Sequence, residues 1–107
     1  MSIKGRAMRE LARAHRARRD GNEGRARVCA RRAAGWAASS YYEHRTGAEA
    51  PRSALAILTW LRNDENTADE IRVVAMRLTA HVTPSHELPF EEDPLEDAQR
   101  MIDEFIE

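Results

Sequence analysis

Between Gly24 and Arg45 the chain sets Ala26, Cys29, Ala30, Ala33, Ala37 and Ser40 at spacings of three and four residues. That period places all six on one face of an α-helix. A face made only of small side chains covers little apolar area by itself, so it is stabilised when other helices approach it closely. Trp36, Tyr41 and His44 flank the stripe and Thr46-Gly47 ends it. A chain with such an element at its centre is constrained to pack helix on helix.

The surrounding segments carry the same period. In "IKGRAMRELARAHRARR", residues 3 to 19, the apolar positions are Ala7, Met8, Leu11, Ala14 and, at the margin, His15. Arg6, Arg9, Arg13 and Arg16 recur on another face, which predicts an amphipathic helix with a basic stripe. "DGNEG" then offers glycines and Asn able to take positive φ, and predicts an antiparallel hairpin with the small-residue helix. After a linker closed by Pro51, Ser53 is placed to begin "SALAILTWLRN", whose Leu55, Ile57, Leu58, Trp60 and Leu61 predict the most buried element.

"NDEN" reads as a turn. Thr67 and Glu70 fit a capping box for a fourth helix with Ile71, Val74, Ala75, Leu78 and Val82 on its apolar stripe and Pro84 at its end. Asp93-Pro94-Leu95-Glu96 then combines a capping acid, a proline at the first helical position and an acid in the first turn. The last helix buries Leu95, Ala98, Ile102, Phe105 and Ile106. No segment alternates with the period of two that a strand requires, and none repeats at a solenoid interval. The expected fold is a single all-α domain, an up-and-down antiparallel bundle of four to five helices, with Leu58, Leu61, Val74, Leu78, Ile102 and Phe105 in one core.

Charge is divided along the chain. Residues 1 to 62 hold 14 Lys and Arg against 5 Asp and Glu, a net +9; residues 63 to 107 hold 3 against 13, a net −10. Such a division indicates an acidic partner for the basic half, or pairing of the halves within a molecule or across a homodimer. No apolar run approaches the roughly 20 residues of a membrane span, so a cytoplasmic protein is expected. Cys29 stands alone and reads as a small buried side chain.

The order of parts resembles the HEPN domains. A basic helix leads into "ARVCARRAAGWAASSYYEHRTG", similar to the small-residue second helix of that family; "SALAILTWL", "ADEIRVVAMRLTAHV" and "LPFEEDPLEDAQRMIDEFI" follow its third helix, fourth helix, and loop with acidic last helix. The resemblance implies a dimerising bundle, often the companion of a small nucleotidyltransferase and, in some branches, a ribonuclease acting through Arg and His. Residues 7 to 38 also resemble one tetratricopeptide-type hairpin, which implies a protein-binding adaptor.

The ribonuclease candidates here are Arg77 and His81. Four residues apart on one helix they would share a face and could serve a phosphate and its proton transfers. The pair departs from the family, which separates Arg and His by four to six residues where only three intervene here. The alternative is a cation and a histidine favouring the negative end of a helix. His15, His44, His81 and His86 are too dispersed for a metal site, and no cofactor is expected. The more informative set is Arg6, Arg9, Arg13, Arg16, Arg27 and Arg31, whose planar guanidinium groups suit RNA, a nucleotide or an acidic protein surface. The expectation is therefore a non-enzymatic binding module, with a ribonuclease or an adaptor as alternatives.

Overall fold

The computed structural model describes residues 1–81 and 87–106. Among them five helices run in order: α1 (Ile3–Arg19), α2 (Glu23–Thr46), α3 (Ala54–Asn63), α4 (Asp69–Leu78) and α5 (Pro94–Phe105), with no strand. They form the all-α up-and-down bundle expected. Each helix packs on its successor, and α5 returns to lie against both α2 and α1. The centre is therefore α2.

Local chemistry sets most of the boundaries. Ser2, Asn22, Ser53 and Asp93 each accept a backbone N–H in the first turn of α1, α2, α3 and α5, which satisfies donors that the helix leaves open. Gly47, at φ 71°, closes α2 in the left-handed conformation that glycine adopts without penalty.

Burial follows the small-residue stripe with three corrections. Ala26, Cys29, Ala30, Ala33 and Ala37 are buried as expected, but Ser40 is exposed and Ala34, Gly35, Ala38 and Ser39 take its place inside. Helix α2 touches α1, α3 and α5, so it is walled on more than one face. Helix α3 is not the most buried element: its Leu55 is 43% exposed and only Ile57, Leu58 and Leu61 are fully inside. On α1, Met8 and His15 face outward while Glu10 and Ala17 are buried.

Helix α4 departs from expectation at both ends. Its N-cap is Ala68, without a side-chain bond. The Thr67 hydroxyl instead donates to Asp64 Oδ2 at 2.8 Å and lies 3.2 Å from Tyr41 Oη, while Glu70 faces Arg100 on α5. At the other end the helix stops at Leu78. Thr79 Oγ1 lies 3.0 Å from the carbonyls of both Ala75 and Met76, Ala80 N–H donates to Arg77 O in a tighter turn, and Arg31 Nε of α2 donates to Leu78 O at 2.9 Å. These bonds satisfy carbonyls that further helix would have used. Val82 and Pro84, expected to extend and end α4, lie outside the described residues.

The predicted core is assembled. Leu58, Leu61, Val74, Leu78 and Ile102 are buried together and Phe105 packs half-buried against them, 4.9 Å from the ring of Tyr41.

Candidate ligand groove on the basic hairpin

Two helices and a linker make a groove. Gly35 on α2 lies so close to α3 that a Cβ there would stand 2.6 Å from Ala54 Cβ and 2.8 Å from Ala54 Cα. This contact fixes the start of α3 against the middle of α2 and forms one end of the floor. The linker after Gly47 is tied back by Glu43, whose Oε2 accepts the N–H of Ala50 at 2.9 Å. Between linker, α2 and α1 lies a depression of about 520 Å³ that includes Glu10, Arg32, Trp36, Ser39 and Arg52. A smaller one, of about 240 Å³, continues past Trp36 and Glu10 to Arg6, Arg9 and Arg13. Glu10 and Trp36 border both, so the arginines of α1 and α2 surround one continuous surface.

Glu10 is the unusual member. Its residue surface is 8% exposed, and Oε1 accepts from Arg13 Nη1 at 2.8 Å while Oε2 has no hydrogen-bond partner. An unpartnered buried acceptor costs about 1–3 kcal/mol, more when charged. It sits at i+3 from Ala7 and at i−4 from Ala14, on the buried flank of α1. Sequence reasoning passed over it, because a lone acid among arginines patterns as part of the solvated face. Its one signal was that same spacing to Ala7 and Ala14.

The arginines expected to bind divide into two groups. Arg31 half-buries itself to cap α4, Arg13 holds Glu10, and Arg6 stands over the Trp36 ring with Cζ 4.7 Å from the centroid. Arg27 is half-buried near Glu23 and, after the bond from Arg18, helps hold that carboxyl below its ordinary range. Arg9 and Arg16 are exposed and make no ion pair among the described residues, as are Arg19, Arg25, Arg32 and Arg52. Arg18 is used structurally: its Nη1 and Nη2 donate to Asp93 at 2.7 and 2.9 Å, and Nε and Nη2 donate to Glu23.

Arg77 and His81 are placed apart in role. Arg77 donates from Nε and Nη2 to the two oxygens of Asp97, and the bonded carboxylate raises its pKa. His81 is exposed, three residues beyond the end of α4, so helical spacing does not put it on the face of Arg77. Among the described residues no three of His, Cys, Asp and Glu gather as metal ligands, and no helix is long and apolar enough to cross a membrane. His86 lies outside the described residues.

No family model, curated protein or solved structure matches the chain.

Proposed function

We propose that this protein is a non-enzymatic, HEPN-like binding module for single-stranded nucleic acid, with the outer face of the α1–α2 hairpin as its phosphate-binding surface. The observation that carries it is the set of exposed guanidinium groups of that hairpin that make no ion pair among the described residues, Arg9 and Arg16 on α1 and Arg25 and Arg32 on α2. Residues seven apart on a helix share a face, so each pair makes a two-point track, and Trp36, which borders one depression with Arg32 and the other with Arg9, offers an aromatic wall. Arginines beside an aromatic ring are the usual parts of a surface that follows a phosphate backbone.

A small companion such as a nucleotidyltransferase, and a cytoplasmic homodimer, belong to the same proposal. The dimer is supported by Val73 and Met76, which stand three residues apart on α4 at 42% and 46% exposure.

Anisotropy of a labelled single-stranded RNA tests the function. Binding is expected at low salt and should weaken steeply as salt rises, with a log–log slope of about −0.7 per phosphate neutralised on a single strand. Replacing Arg9, Arg16 and Arg32 together by Ala should flatten that slope by about two units. Absence of binding at low salt defeats the proposal.

A further inference from the structure

Resting on that nucleic-acid function, we infer that the groove at Glu10 is a base pocket selective for a nucleobase with an exocyclic amine. The groove holds opposite chemistries side by side. Its inner wall has a buried carboxylate with one acceptor oxygen unused, and its rim has Arg32 and Arg52, exposed and without ion pairs among the described residues. A ligand satisfying both must carry an N–H donor a short distance from an anion.

The basic surroundings choose among such ligands. The main groove sets Glu43 and Glu49 beside Arg32 and Arg52, whereas its continuation is lined by Arg6, Arg9 and Arg13, so entry along the continuation repels a cationic peptide or polyamine and attracts a phosphate-bearing strand. Trp36, Ala54 and Ile57 supply apolar walls, and the volume of about 520 Å³ falls within the range of small-molecule sites. A base joined to a backbone phosphate matches each part: ring beside Trp36, whose indole Arg6 covers on one face, phosphate near Arg32 or Arg52, amine toward Glu10.

Glu10 meets that donor by exchange. Its Oε2 is closed off from solvent and Arg13 holds Oε1, so the carboxylate turns about its broad, two-fold terminal torsion and trades the Arg13 bond for the donor in the groove, without moving a helix. The carboxylate then discriminates. Cytosine presents an N4 amine where uracil presents the O4 acceptor, and carboxylates accept from cytosine N4. Two acceptors facing each other repel.

The test compares labelled oligocytidylate with oligouridylate of equal length on the intact protein. The cytidylate should bind at least about tenfold more tightly, the scale of one hydrogen bond to a charged group. Glu10→Gln, nearly isosteric, presents either a donor or an acceptor, so it should bring the two affinities within about twofold while phosphate binding persists. Should that variant fail to fold, the wild-type ratio stands alone as a test. Arg52→Ala, on an exposed linker, should weaken both oligomers and leave their ratio unchanged. Equal affinity of the wild type for both oligomers overturns the base pocket and leaves the phosphate-binding function intact. Failure of either to bind at low salt overturns that function, and the pocket with it. Competition by cytidine monophosphate as effective per nucleotide as the oligomer overturns the assignment to a strand.

Discussion

Arg77 and Asp97 form a two-point ion pair, Nε to Oδ2 at 2.9 Å and Nη2 to Oδ1 at 2.8 Å, with side chains 18% and 8% exposed. Arg77 stands in the last turn of α4 and Asp97 in the first turn of α5. Each therefore also complements its own helix dipole. The pair is a part-buried polar lock between the two helices, with the exposed Glu70–Arg100 pair beside it. A catalytic role for Arg77 would require it to leave this partner.

Removing one member should strand the other. Arg77→Ala is expected to cost about 3 kcal/mol, the scale for breaking a buried pair from one side. Replacing both by apolar residues of similar volume should recover much of that loss. His81→Ala should leave the unfolding free energy unchanged, since the side chain is exposed beyond the helix. Chemical denaturation of the three variants checks this, and RNA cleavage that is present in the wild type and lost with His81 would reverse the assignment of Arg77 as structural.

Acid should loosen the start of α5 first. Arg18 holds Asp93 and Glu23 below their ordinary carboxyl pKa values of 3.8 and 4.5, in both cases mainly through its hydrogen bonds. A carboxyl whose folded pKa is depressed binds more protons unfolded than folded, so its contribution is complete above the ordinary value and disappears as pH falls through the folded one. Stability should be level near neutrality and fall below about pH 4.5. Asp93→Asn should make that decline shallower. Asn still caps the helix N–H of Leu95, so the ion pair is removed while the cap remains. An unchanged acid slope would mean that other carboxylates govern it.

Gly35→Ala tests the close approach beneath the groove. Alanine favours a helix by about 1 kcal/mol over glycine, yet its Cβ would stand 2.6 Å from Ala54 Cβ. Overpacking of this kind costs about 1–3 kcal/mol, so a net loss is expected together with altered shifts at Ala54 and Ile57 in a backbone NMR spectrum. A gain in stability would show that α3 moves away freely.

What the sequence made legible was local. Ser53, Gly47 and the Asp93-Pro94 step act within a turn of their own position, and each marks the boundary it was expected to mark. The end of α4 was not fully legible because, beside the local bonds of Thr79 and Ala80, it depends on Arg31, which lies 47 residues earlier in the chain. Thr67 failed as a cap because Asp64 and Tyr41 compete for its hydroxyl. Glu10 was hidden for a related reason. Periodicity assigns charged residues to solvent, and only the packing of α1 on α2 turns this one inward.

The same distinction separates the arginines, which look alike in sequence. Arg31 satisfies a helix-end carbonyl inside the fold, whereas Arg9, Arg16 and Arg32 are exposed and have no ion-pair partner among the described residues. Arg31→Ala should therefore lower stability by about 1–3 kcal/mol, the cost of leaving a part-buried carbonyl unsatisfied, and leave the salt dependence of RNA binding unaltered. Arg9→Ala, Arg16→Ala and Arg32→Ala should each do the reverse: a melting temperature within error of the wild type, and a salt slope shallower by about 0.7. Thermal denaturation and anisotropy titrations on the same four proteins make the comparison. If Arg31→Ala flattens the salt slope as much as Arg9→Ala does, the α4 cap opens to phosphate and the division between structural and binding arginines fails.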